Sequence, residues 1–239
     1  MSRSLVRNFV IYLLALAFSF CSLAAGAESK NLAPGFSNLP KGASILVMAP
    51  DLELYSISAG GVIEPKADWT EAAQRYLQAG LEVKISEFSL NPQFLSEQDS
   101  DTFADISSLH AAVARSISLH HMTGGNFRLP TKNDQLDWSL GEAVLPIHEK
   151  LGADYALFVW VRDSYASAER VATMVALAFL GVGVGGGMQT GYASLVDLRT
   201  GQVMWFNQLL RRSGDLREHT SAVETVTTLL TNFPAITAK

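Results

Sequence analysis

Residues 191–212, GYASLVDLRTGQVMWFNQLLRR, place two runs rich in Val, Leu, Tyr, Trp and Phe on either side of Arg199-Thr200-Gly201-Gln202. This text predicts a β-hairpin with a short polar turn, in which Gly201 takes the left-handed conformation of a bulged loop. Alternation sends Tyr192, Ser194, Val196 and Leu198 to one face and Ala193, Leu195 and Asp197 to the other. On the returning run Val203, Trp205 and Leu209 oppose Met204, Phe206 and Leu210. Because both faces of the second strand are apolar, the hairpin belongs in a sheet covered on both sides, or at an interface. The rest of the chain is read as the material that covers it.

In chain order, residues 31–42 contain Pro34, Gly35, Pro40 and Gly42 and read as a linker. Ile45, Leu46, Val47 and Met48 form a buried-strand run that Leu52, Leu54 and Ile57 continue, with Pro50 ending, bending or moving the strand to an edge. Asp68-Trp69-Thr70-Glu71 has capping-box spacing, and Trp69, Ala72, Ala73, Tyr76 and Leu77 share a helical face up to Gly80, a suitable C′ residue. Beyond Gly80, Leu81, Val83 and Ile85 alternate as a strand does; a helix running on through Leu81, Ile85 and Phe88 is the rival reading. Residues 102–122 and 136–151 predict two amphipathic helices, the second kinked at Pro146 and stopped by Gly152. Residues 153–161, ADYALFVWV, are apolar on both faces and predict a central strand. A helix over residues 166–180, the hairpin, and a last amphipathic helix beginning near Asp215 and stopping at Pro234 complete the order. The expected fold is a single α/β or α+β domain with about five strands in a mixed sheet and helices on both faces.

The amino terminus speaks to compartment. Arg3 and Arg7, an apolar run from Phe9 to Phe20, and Ala25-Gly26-Ala27 have the form of a secretory signal peptide cleaved after Ala27. The expected division is a signal peptide over residues 1–27, a linker over 28–43 and one domain over 44–235. Cys21 is the single cysteine, and Phe20 stands where a lipobox needs a small residue, so lipidation is not expected. With Cys21 removed, disulfides, zinc-cysteine sites and cysteine nucleophiles drop out together. The chain has 18 basic and 23 acidic residues, and residues 1–27 contain Arg3, Arg7 and no acid. An acidic mature chain without a basic stripe argues against a nucleic-acid partner and gives no attraction to anionic lipid.

The most unusual stretch is residues 171–188, VATMVALAFLGVGVGGGM, which carries no charge. It reads as a buried helix followed by a flexible glycine loop, as a segment touching membrane or a partner, or as a second membrane span. Gly181, Gly183 and Gly186 spell G-x-G-x-x-G, but after a helix and before a strand, the reverse of a dinucleotide fingerprint, so no cofactor is expected. The five histidines show no H-E-x-x-H and no metal spacing, and no G-x-S-x-G is present.

Gly152-Ala153-Asp154-Tyr155-Ala156-Leu157, followed later by the SLVDLRTGQVMW text of residues 194–205, resembles the small α/β domain of the curli-secretion lipoprotein, the TolB amino-terminal domain and related envelope lipoproteins. The resemblance implies an interaction or assembly role without catalytic residues. The expected function is therefore a non-enzymatic periplasmic or secreted module that contacts other envelope proteins, or further copies of itself. Its expected contact residues are Phe179, Leu180, Gly181, Gly183, Gly185, Gly186, Gly187, Trp205 and Arg211. Two alternatives stand beside it. One is an exported hydrolase using His120, His121, Asp99 or Asp101; the other is an assembly subunit that meets the membrane peripherally or inserts residues 171–188.

Overall fold

The computed structural model describes residues 29–236; the signal-peptide and Cys21 readings lie outside them. Seven strands form one mixed sheet: β1 (Ile45–Val47), β2 (Asp51–Ile57), β3 (Ile63–Pro65), β4 (Pro92–Phe94), β5 (Tyr155–Ala166), β6 (Gln189–Asp197) and β7 (Val203–Arg211). The helices are α1 (Ala67–Glu87), α2 (Glu97–Thr102), α3 (Ala104–Ile117), α4 (Leu145–Leu151), α5 (Ala168–Ala178) and α6 (His219–Leu229). The mixed α/β class and the hairpin followed by a helix are as expected.

β5 is the spine. One edge pairs antiparallel with β6 from Tyr155 to Asp163. The other takes β1 opposite Tyr155–Leu157 and β2 opposite Trp160–Ala166, both parallel. Pro50 lies between β1 and β2, so the predicted break is a bend in one long run alongside β5. β3 extends the sheet beyond β2, and β4 extends it beyond β1. These two strands were not anticipated. Three residues are too few to establish a period, and Pro65 and Pro92 sit at edge positions, where proline is tolerated.

Both faces are covered. On one, α1 and α6 bring Leu77, Leu81, Ile85, Val226 and Leu229 onto Leu157, Leu195 and Trp205. On the other, α3 and α4 bring Ile106, Ala114, Ile117 and Ile147 onto Phe158, Val196 and Phe206. Trp205 and Phe206 are consecutive and both fully buried, as a strand clad on both faces requires. The face assignment of Val203 needs correction. Leu195 pairs with Trp205 and Val196 with Val203, so Met204 is an extra, bulged residue and Val203 joins Phe206 rather than Trp205.

Gly80 does not end a helix. α1 continues to Glu87, which is the rival reading of residues 81–86. A β-carbon at Gly80 would lie 3.1 Å from Val226 Cγ2, so the glycine marks where α6 crosses closely. Lys66 is the N-cap of α1, without a side-chain cap bond, in place of the expected Asp68. Pro146 lies in the first turn of α4, where it is accommodated without a kink. The helix read over residues 102–122 is split between α2, α3 and a π-helical turn, Ser118–Thr123. α6 begins at His219, after Leu216 has already entered the core.

The segment expected as a linker is bound to the sheet. Ala33 N donates to Met204 O at 2.9 Å, and Phe206 N donates to Asn31 O at 2.9 Å. Leu39 is fully buried. An unpaired β7 edge would present open backbone groups, and these residues close part of it.

Candidate functional site

The apolar, glycine-rich stretch forms an arm at the far end of β5. Ser167 caps α5 by accepting a hydrogen bond from Arg170 N. α5 has no buried residue, although Val171, Val175, Phe179 and Leu180 follow one another along it and its end. Phe179 is 87 % exposed and Leu180 76 %. Gly181 turns the chain back with φ +76°, and residues 182–188 return to β6 without regular secondary structure. The expected buried helix is thus an exposed one. At eleven residues it spans about 16 Å, about half of a bilayer's hydrocarbon core, so this helix is too short to cross one. Among the described residues no helix is long and apolar enough to cross a membrane.

Arg170 closes the arm. Its Nε and Nη2 donate to Gly185 O at 3.1 and 2.9 Å, and its Nη1 donates to Ser58 O at 3.3 Å in the β2–β3 turn. That turn exposes Val62 and Ile63 beside Gly61, which borders Arg170. Gly187 is pressed against Ser164, and Met188 and Ser164 exchange backbone and hydroxyl hydrogen bonds.

A buried polar knot lies beneath the arm. The Asp163 carboxylate accepts from the Tyr165 hydroxyl and from Gln189 Nε2. Gln189 Oε1 accepts from Arg211 Nε at 2.8 Å and from the Thr225 hydroxyl, and Arg211 Nη2 donates to Thr225 Oγ1 at 2.6 Å. Tyr165 Oη accepts from Leu216 N at 2.7 Å. The Arg217 guanidinium stacks 4.0 Å from the Tyr165 ring centre and is paired with Asp215. Burial raises the Asp163 pKa to about 6 against the opposing pull of its hydrogen bonds from Tyr165 and Gln189. Burial likewise pushes the Tyr165 hydroxyl well above its usual value. The knot joins β5, β6, β7 and α6 where the arm leaves and re-enters the sheet.

The expected contact residues therefore divide. Phe179, Leu180, Gly181, Gly183, Gly185 and Gly186 lie on the arm, and Gly187 is its root. Arg211 belongs to the knot. Trp205 is corrected: it is fully buried, edge-on to Phe233 at 5.1 Å, and offers no surface to a partner. Arg170, Asp163 and Gln189 were missed. Only Arg170 had a visible sign, as the last charge before the uncharged run.

The residues of the hydrolase reading do not converge. Asp99 is bound by Lys150 at 2.6 Å on exposed α2, and the hydrogen bonds from Lys150 and then Ser96 hold its carboxyl below the usual range. His120 Nδ1 contacts Phe127 O, and His121 Nε2 contacts Lys30 O. A different pair, His110 Nε2 and Ser194 Oγ, lies at 2.5 Å, but Ser194 is wholly buried and no substrate carbonyl can reach it. Among the described residues no group of three or more metal-ligating side chains occurs.

No protein-family model and no curated protein matches the chain. Solved structures give distant likenesses. The PelC dodecamer from Paraburkholderia phytofirmans has a TM-score of 0.41 and 13 % identity, covering 84 % of this chain and 93 % of that one. Lipoprotein GNA1162 from Neisseria meningitidis has a TM-score of 0.32 and 16 % identity, over 80 % and 94 %. The LpoB C-terminal domain from Salmonella enterica has a TM-score of 0.29 and 12 % identity, over 76 % and 88 %. Likenesses at this level transfer no site residue.

Proposed function

We propose that the chain is an exported, non-enzymatic interaction module of the cell envelope, and that the arm over residues 168–188 is its contact with another envelope protein or with a second copy of the chain. The observation that carries this reading is that α5 buries none of its residues while Val171, Val175, Phe179 and Leu180 stand open together. Contiguous exposed apolar side chains of this kind mark interaction surfaces. Glycine supports the role in a specific way: Gly181, Gly183, Gly185, Gly186 and Gly187 carry no side chain, which lets a partner approach the backbone closely there. The knot beneath the arm would fix its direction while leaving its apolar surface free.

The test is Phe179→Ser combined with Leu180→Ser, assayed by co-purification from cells after chemical cross-linking. Both side chains are exposed, so the melting temperature should change little. Loss of the cross-linked species with an unchanged melting temperature is the expected result. A folded double variant that captures the same species as the parent removes the arm from the contact.

A further inference from the structure

A cleft on the opposite side of β5 from α1 runs between α3 and the sheet. Its inner part, about 170 Å³, is lined by Ala49, Ser107, Ser108, His110 and Phe158. It continues past Asp51, Ala111, Trp160 and Tyr192 into an outer part of about 500 Å³ bounded by Arg115, Arg162, Thr190 and Gln208. The outer volume is in the usual range for small-molecule sites.

The cleft exists because α3 presents two different rows. Ile106, His110, Ala114 and Ile117 are buried, whereas Ser107, Ala111 and Arg115, followed by Ser118 in the next turn and spaced at three and four residues, line the cleft. The small side chains of Ser107, Ala111 and Ser118 leave room between that row and the sheet. Opposite them, β5, β6 and β7 build an aromatic ladder: Arg162 lies 5.0 Å from the Trp160 ring centre, Trp160 stacks on Tyr192 at 5.2 Å, and Tyr192 stacks on Phe206 at 5.5 Å.

The polar groups of this cleft are unbalanced. Arg162 is engaged by two carboxylates, Asp51 at 2.6 Å and Glu53 at 3.5 Å, so Asp51, the acid among the lining residues, is itself paired. Arg115 has no ion pair or side-chain hydrogen bond among the described residues. Neither the Tyr192 hydroxyl nor the Trp160 indole N–H has a partner among them. His110, almost wholly buried, uses one ring nitrogen on Ser194 and leaves the other without a protein partner. Guanidinium and indole can only donate, and a phenol donates readily. Unsatisfied donors beside one unpaired cation are complemented by an anionic acceptor, and a planar guanidinium suits a carboxylate.

We propose that this cleft is a binding site for a monocarboxylate with a flat apolar body, its carboxylate held by Arg115 and the Tyr192 hydroxyl and its body lying against Trp160. The site is separate from the arm and does not depend on the arm's role. A free small acid and the carboxyl terminus of a peptide share this chemistry.

The experiment is a titration of the purified exported protein, followed by backbone and indole NMR shifts, with 3-phenylpropionate and with the peptide Ac-Ala-Ala-Phe. The primary amide of each is the control. Both acids should move the Ala111, Thr190 and Trp160 indole signals, with the amides and the Arg115→Gln variant binding at least about tenfold more weakly. Tyr192→Phe should weaken binding several-fold, and the Phe179→Ser, Leu180→Ser double variant should bind as the parent does. Tighter binding of the peptide assigns the site to a chain terminus, and tighter binding of phenylpropionate assigns it to a free acid. If acid and amide bind alike, if Arg115→Gln changes nothing, or if neither acid moves these signals at its solubility limit, the proposal is overturned.

Discussion

Gly187 lies so close to Ser164 that a β-carbon at residue 187 would stand 1.9 Å from the Ser164 carbonyl oxygen. Its φ of +151° is also a conformation that residues with side chains seldom adopt. The glycine is therefore a structural root for the arm. Gly187→Ala should force the returning strip off β5, and hydrogen exchange of Met188 N should accelerate strongly. Gly183→Ala, which meets nothing within 4 Å, should leave that amide unchanged.

Asp163 makes stability fall as pH rises. Its folded pKa of about 6 lies above the ordinary carboxyl value, so the folded protein holds a proton that the unfolded chain has released. The contribution is fully present below about pH 4, is lost progressively up to about pH 6, and amounts to no more than about 3 kcal/mol. Asp163→Asn removes the titration. Urea midpoints measured from pH 4 to pH 7.5 should show the variant gaining on the parent as pH rises, and a constant difference would contradict the assignment.

At Gly80 two effects oppose each other. Alanine gains about 1 kcal/mol of helix propensity, but its β-carbon meets Val226 Cγ2 at 3.1 Å. Gly80→Ala should thus come out near neutral. Gly80→Leu has no room at the α1–α6 crossing and should cost about 1–3 kcal/mol by chemical denaturation.

Trp205 tests the core reading against the earlier surface reading. Trp205→Ala should destabilise by about 3–5 kcal/mol. The same substitution at a contact residue would weaken capture and leave stability nearly intact.

Much of the fold was legible because its signals were long or redundant. Eight of the nine residues over 153–161 are apolar, Asp154 being the exception, and such a run had room to be buried only at the centre of a sheet, while the hairpin text carried both strand periods and its turn. Gly80 misled because a glycine at a close helix crossing and a glycine at a helix end look alike in one dimension. Val203 was turned to the wrong face because a single bulged residue, Met204, inverts a period of two. The arm was legible as an uncharged, glycine-rich run, but its exposure was not, since apolar text alone reads equally as core. The knot was invisible: Asp163, Gln189, Arg211 and Thr225 are scattered along the chain, and only the alignment of three strands with α6 brings them together.

If the arm touches a partner in the cell, its exposed tip must lie within cross-linking distance of that partner. A photoreactive phenylalanine analogue at Phe179 tests it most directly, with the same analogue at exposed, remote Glu142 as the reference. A discrete cross-linked species is expected from residue 179 and none from residue 142, with the band lost when Leu180 is changed to Ser. Equal, diffuse labelling from both positions would contradict it.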